Sequence, residues 1–217
     1  MKRLNRIIDL IKPLGCKVLA DIGTDHGYLP ISAVKKNAVS RAIACDINPK
    51  PLSVASKNIK SNGLTDVIET RLGNGVSPIK PNEADLFVLS GMGGKLIIDI
   101  LESGKEIIYG SKLILQPQHD LEFLRGQLSR LNFTINNEAI VFEKNIYYVI
   151  ILAAYDENPV KLTEKECFTG IFHDESRIDY RRNEIEKIKK YIGKITNEAD
   201  FQAAKLKLMW LQELVNK

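Results

Sequence analysis

The sequence predicts an α/β fold, a mostly parallel seven-stranded sheet followed by an antiparallel, coiled-coil-like helical hairpin. Three observations carry this. Short apolar runs at 18–22, 39–47, 67–72, 85–90 and 113–115 alternate with stretches of helical periodicity. Residues 133–142 and 147–155 read as strands joined too closely for a crossover, so they must pair antiparallel. Beyond Tyr155 the strand pattern gives way to apolar residues at steps of three, four and seven. The expected division is 1–156 for the α/β domain and 157–217 for the helical one.

Taken in order, Leu4, Ile7, Ile8 and Ile11 lie on one face of a helix over 2–12, which Pro13 and Gly15 end. Arg3, Arg6 and Lys12 line its wet side, either as a solvated face or against a polyanion. The first strand closes on Asp21. Gly23 and Gly27 then bracket Thr24, Asp25 and His26, and Tyr28 begins a helix that tolerates Pro30 in its first turn. Pro49 opens the next helix and Asn62-Gly63 ends it. The third strand runs into Gly73-Asn74-Gly75.

The fourth strand is apolar throughout and therefore central. It leads into Gly91-Met92-Gly93-Gly94, whose three glycines predict that something approaches the backbone closely. Leu96, Ile97, Ile100 and Leu101 form the following helical stripe. The fifth strand stops at Gln116-Pro117-Gln118-His119, a helix runs to about Leu131, and Asn145 sits in the turn of the terminal hairpin. Residues 156–163 read as a polar linker. Ile178, Ile185, Ile188, Ile192 and Ile195, then Phe201, Ala204, Leu208, Leu211 and Val215, pattern two helices around a Gly193 break and an Asn197 N-cap. Arg177, Arg181, Arg182, Lys187, Lys189 and Lys190, mixed with Glu184 and Glu186, read by default as a solvated helix face.

The first loop argues for a particular chemistry. It lacks both the GxGxxG spacing of a dinucleotide binder and the Lys-Ser/Thr ending of a triphosphate loop. Asp21 and Asp25 would repel a phosphate there and would favour an ammonium group. Asp46 follows Gly27 by about 20 residues, the spacing at which a carboxylate meets ribose hydroxyls. Asp21, Gly23, Gly27 and Asp46 together point to a nucleoside cofactor carrying positive charge, S-adenosylmethionine. Asn74 either meets an adenine edge or belongs to a plain Asn-Gly turn.

Composition narrows the class without fixing the partner. The 217 residues are 44% hydrophobic and 27% charged, as in soluble globular proteins. A net charge of +4 permits a nucleic-acid partner but does not require one. Cys16, Cys45 and Cys167 are far apart and in no C-x-x-C pair, so reduced thiols are expected, with no metal site. The opening MKRLNRIIDLIK holds too short an apolar stretch for a signal peptide. No run approaches a membrane span. A cytoplasmic protein is expected.

The segments ADIGTDHGYLP, CDIN, RLGNG, LSGMGG and LILQP, in this order and spacing, resemble the bacterial tRNA adenine-22 N1-methyltransferase family. The resemblance covers nearly the whole chain, including the helical tail. It implies a Rossmann-like class I methyltransferase fold, S-adenosylmethionine as donor, and N1 of a D-arm adenine in tRNA as acceptor. Asp46 stands where family members often have Glu, and either carboxylate serves a ribose. A tRNA-contacting role for the basic tail face becomes the alternative to plain solvation, and a monomer is expected.

The expected cofactor set is Asp21, Gly23, Thr24, Gly27, Tyr28, Asp46, Ile47, Gly73, Asn74, Gly75, Gly91 and Gly93. The expected catalytic set is Asp25, His26, Ser90 and Met92. Asp25 would stabilise positive charge developing on the base, or else serve as a carboxylate at a helix N-terminus. His26 would position, Met92 would pack against the base, and residues 90–93 would floor its pocket. Tyr28 offers an aromatic surface or packs at the helix start. The Asn/Asp-Pro-Pro-aromatic loop that methylates exocyclic amines is absent after the fourth strand, which suits a ring nitrogen. A small-molecule methyltransferase would leave the helical tail without an obvious use. A non-catalytic cofactor-binding module is disfavoured by the intact Asp21, Gly23 and Asp46, and a dehydrogenase by the missing third glycine.

Overall fold

The computed structural model describes residues 1–172 and 177–216; residues 173–176 and 217 of the expected helical unit lie outside the described residues. Helix α1 (Lys2–Ile11) buries Ile7, Ile8, Leu10 and Ile11. There follow β1 (Val18–Ile22), α2 (Tyr28–Lys35), β2 (Arg41–Asp46), α3 (Pro49–Ser61), β3 (Ile68–Leu72), β4 (Leu86–Met92), α4 (Gly94–Ser103), α5 (Lys105–Ile108), β5 (Lys112–Pro117) and α6 (Leu121–Leu128). The hairpin β6 (Phe133–Glu143) and β7 (Ile146–Tyr155) completes the sheet, and α7 (Glu164–Thr169), α8 (Arg177–Ile192) and α9 (Glu198–Val215) end the chain.

The strand order is β3-β2-β1-β4-β5-β7-β6. The first five strands are mutually parallel, and β7 pairs antiparallel with both β5 and β6. The hairpin is closed by Lys144 and Asn145 at φ 52° and 61°, a two-residue turn whose twist matches that of its strands. Alternate residues of the central strands feed two cores. Ala20, Ile22, Phe87, Leu89, Leu113 and Leu115 pack under α4 and α6, while Leu19, Leu86, Val88 and Ile114 pack under α1, α2 and α3. Burial on both faces is why these strands read as unbroken apolar runs.

Several boundaries differ from expectation. β4 continues two residues past Ser90, because Gly91 at φ 83° forms a bulge that lets Met92 pair with Pro117. β5 correspondingly includes Gln116 and Pro117. Leu96, expected in the buried stripe of α4, is exposed. The helix expected to reach Leu131 ends at Leu128 and continues as a 3-10 turn over Ser129–Leu131. α5 and α7 were not legible; α7 is set by a capping box between Thr163 and Glu166.

The helical hairpin forms as expected. Ile185, Ile188, Ala204 and Leu211 are buried with Phe168, Ile192, Ile195, Leu208 and Val215 around them. The Asn197 side chain accepts the Asp200 N–H and caps α9. Arg182, Lys187 and Lys189 pair along the outer face of α8 with Asp179, Glu184 and Glu186. Arg181 departs from that solvated face and is buried.

The segment leading into the hairpin is anchored in the main core. Phe172 and Tyr180 join the cluster under α4 and α6. Arg125 of α6 is fully buried, pairs with Glu138 of β6 at 2.7 Å, and donates to the Cys167 and Phe168 carbonyls. Glu138 also accepts the Ile171 N–H at 2.7 Å.

Candidate active site

A cleft of about 370 Å³ opens at the carboxyl ends of β1 and β4. The strand order reverses there, which is where open α/β sheets take their ligands. Asp21, Gly23, Thr24, Asp25, His26, Tyr28, Ser90 and Gly91, all expected site residues, line it. Met1, Arg3, Leu4 and Ile7 of the N-terminal segment, together with Leu29, Gln118 and Glu143, complete the wall.

The loop after β1 is tied to the end of β2. The Gly23 and Thr24 N–H groups both donate to the Cys45 carbonyl at 2.9 Å. Asp46 accepts the Asp25 N–H at 3.3 Å on one carboxylate oxygen and the Asn48 N–H at 2.8 Å on the other. Each oxygen keeps further acceptor capacity toward a hydroxyl. Gly23 lies at φ 75°, and a Cβ there would meet the Met92 methyl at 2.5 Å. Met92, expected to pack against the base, lies under the loop and is not among the residues lining the cleft. Gly27 at φ 73° is the N-cap of α2, with Ala55 of α3 packed against it.

Asp21 is the more deeply buried of the site's two buried carboxylates, 4% exposed at the end of β1, with Asp46 at 8%. Burial raises its carboxyl to about 7, the Thr24 hydroxyl bond at 2.6 Å opposes this, and the nearby Asp46 adds to it. Asp25 takes a left-handed backbone at φ 52° with its side chain mostly exposed, 3.5 Å from His26 Nε2. It makes no capping hydrogen bond to α2, whose N-cap is Gly27, two residues further on. His26 and Tyr28 meet edge to face at 5.6 Å, and the His26 Nδ1 is buried without a hydrogen-bond partner. The Ser90 hydroxyl donates to Gln116 Oε1 at 3.1 Å.

Other expected residues lie off the cleft lining. Ile47 is exposed beside Asp46. Gly73 donates its N–H to the Asp46 carbonyl at 3.0 Å, which carries the 73–75 loop to the rim beside β2. Asn74 is exposed there. Gly73 and Gly75 are explained by packing, since a Cβ would press on Pro78 or Ile100 at 2.9 Å. Gly93 and Gly94 are explained likewise: a Cβ would meet His119 at 2.4 Å or the Asp120 carbonyl at 2.5 Å. The close approach expected at that glycine run is made by the chain's own loop after β5.

Sequence reasoning missed the wall formed by α1. The Lys2 N–H donates to Glu143 at 2.6 Å, and the Arg3 guanidinium lies over the Tyr148 ring at 4.8 Å. Only the amphipathic pattern of α1 was legible; its docking site is not local. Gln118 reads in sequence only as part of a strand stop, and its polarity at the end of a central strand is the available signal. Among the described residues no group of three or more His, Cys, Asp or Glu could hold a metal ion, and no helix is long and apolar enough to cross a membrane.

Comparison with known proteins is consistent with this geometry. Residues 1–151 match the family model described as a methyltransferase domain. The tRNA (adenine(22)-N(1))-methyltransferase of Bacillus subtilis is 39% identical over 153 residues, covering 70% of this chain and 63% of that enzyme's length. M. capricolum TrmK, solved in complex with S-adenosyl-homocysteine, aligns with a TM-score of 0.84 and 32% identity over 100% of this chain and 97% of that one. A Streptococcus pneumoniae protein solved in complex with S-adenosyl-L-methionine aligns with a TM-score of 0.88 and 28% identity, covering 99% of each chain.

Proposed function

The chain belongs to the methyltransferase family, and we propose that it transfers a methyl group from S-adenosylmethionine to N1 of adenine 22 in the D-arm of tRNA. The observation that carries the donor assignment is Asp21. Its buried carboxyl, raised to about 7, takes its charge most readily when a cation arrives beside it. An ammonium-bearing nucleoside fits that demand, whereas a pyrophosphate would add negative charge beside Asp21 and Asp25. The remaining acceptor capacity of Asp46 suits ribose hydroxyls, with Gly23, Thr24, Gly27 and Tyr28 shaping the loop between the two carboxylates.

When bound, S-adenosylmethionine supplies an electrophilic methyl group. The residues of the chain then have three tasks. They hold the adenine ring nitrogen in line with that group, keep water out, and offset the positive charge the base acquires. N1 already carries an in-plane lone pair, so no general base is required. Ser90 is suited to fixing the strand end, since its hydroxyl is given to Gln116. Asp25 borders the cleft with an ionisable side chain that no helix cap consumes, and it is assigned to the developing charge. His26, whose Nε2 lies 3.5 Å from that carboxylate, is assigned to positioning it.

Residues 1–156 are assigned to the donor and the chemistry, and residues 157–217 to tRNA engagement in the cytoplasm. Lys190, Lys194 and Lys205 are exposed on the helical hairpin and suit phosphate contacts. The test compares two otherwise identical tRNA transcripts carrying adenine or guanine at position 22. The reading expects methyl transfer to the first and none to the second. Equal transfer to both would reject the assigned position.

A further inference from the structure

Resting on the tRNA reading above, we propose that Gln118 is the residue that recognises the target adenine, reading its N6/N7 edge from the mouth of the cleft. Transfer to N1 requires that the N1 lone pair be free, so the Watson–Crick edge cannot be fully occupied by the protein. The edge that remains offers the N6 amino group as donor and N7 as acceptor. A side-chain carboxamide matches that pair bidentately.

Asp25, His26 and Tyr28 of the first loop carry no adjacent donor and acceptor that could match an N6/N7 edge, and the rest of the cleft's inventory leaves Gln118 for this task. The Thr24 hydroxyl is given to Asp21 and that of Ser90 to Gln116. Glu143 accepts the Lys2 N–H, and Arg3 lies on Tyr148. Gln118 carries the one carboxamide among the lining residues. Its amide makes no hydrogen bond among the described residues, while its backbone N–H is fixed to the Met92 carbonyl at 2.8 Å.

The position is built. Gln116, two residues earlier, is fully buried and spends its own amide on Ser90 and the Pro117 carbonyl, which locks the end of β5. Gln118 is the next residue on that face and the first beyond the strand. Its Nε2 lies 3.7 Å from where a Gly91 Cβ would stand, so the bare bulge of β4 leaves the amide a smooth floor. A flat base set on that floor would present one edge to Gln118 and N1 to the interior.

The experiment is a cycle between protein and base. Wild type and Gln118→Ala are assayed on tRNA transcripts carrying adenine or 7-deazaadenine at position 22; the latter lacks the N7 acceptor. Each single change should lower kcat/KM by about ten- to a hundredfold, and the two together should cost little more than one alone. Gln118→Glu keeps the acceptor for N6 but sets a second acceptor against N7, so its rate should fall on adenine and be relieved, not lowered further, by the deaza substitution. Calorimetry should give Gln118→Ala the wild-type affinity for S-adenosylmethionine, which confirms an intact fold and donor site. Penalties that multiply independently, or a wild type indifferent to the deaza base, would overturn the role of Gln118. A wild type that methylates neither transcript would instead overturn the tRNA reading, and this proposal with it.

Discussion

The Thr24 hydroxyl, in the loop that joins β1 to α2, donates at 2.6 Å to the carboxyl of Asp21 near the end of β1, and both residues line the same cleft. The bond is too weak an offset to keep Asp21 in the ordinary carboxylate range, because burial dominates. An acid whose folded-state value is raised to about 7 binds more protons folded than unfolded between about pH 4 and 7. Its contribution to the stability of the ligand-free protein is therefore present at low pH and is lost as pH rises through 7.

The same shift governs donor binding. A cationic ligand stabilises the ionised form, so affinity for S-adenosylmethionine should rise with pH and level off above about 7. Calorimetry at pH 6 in buffers of different ionisation enthalpy should record proton release on binding. Asp21→Asn should bind more weakly and lose that pH dependence. A wild type with pH-independent affinity would remove Asp21 from the donor site.

Asp46→Ala should weaken donor binding by about 1–3 kcal/mol, as expected when hydrogen bonds to a charged acceptor are removed. It should also lower the melting temperature, since the same carboxylate holds the Asp25 and Asn48 N–H groups. Titration and thermal melts on one preparation separate the two effects. Unchanged affinity with a lowered melting temperature would make Asp46 a loop anchor alone.

Asp25→Asn should leave the melting temperature unchanged, because Asp25 caps no helix and Asn accepts a left-handed backbone readily. Binding of donor and tRNA should persist while the single-turnover rate falls. A variant that melts earlier yet turns over normally would return Asp25 to a structural role.

Arg125→Met should destabilise the protein by about 3–5 kcal/mol, the usual cost of leaving one member of a buried ion pair behind. Adding Glu138→Leu should recover only part of the loss, because Arg125 also serves the Cys167 and Phe168 carbonyls and Glu138 the Ile171 N–H. Chemical denaturation of the single and double variants measures this. Full recovery in the double variant would mean that neither the carbonyl bonds nor the Ile171 bond contributes.

What could be read from sequence, and what could not, follows from the range of the forces involved. The run over β1 announced both strand and loop because its apolar residues, its terminal Asp21 and its two glycines are contiguous. The end of β4 was misjudged because Gly91 reads as a loop residue, yet its left-handed backbone makes a bulge that returns Met92 to the ladder. Gly93 and Gly94 gave a true signal of close approach, but its source was the loop at His119 and Asp120. Arg125 and Glu138 each look like surface charges along the chain, and only the packing of α6 on β6 joins them. The same non-local docking hid the part of α1 in the cleft.

Methyl transfer to N1 of one tRNA adenine leaves a product that nucleoside analysis identifies. It is tested most directly by incubating the protein with methyl-labelled S-adenosylmethionine and unmodified tRNA, then digesting the tRNA and identifying and mapping the labelled nucleoside. Label is expected in 1-methyladenosine alone, at position 22. Label in N6-methyladenosine, label at another position, or no incorporation into tRNA would contradict it.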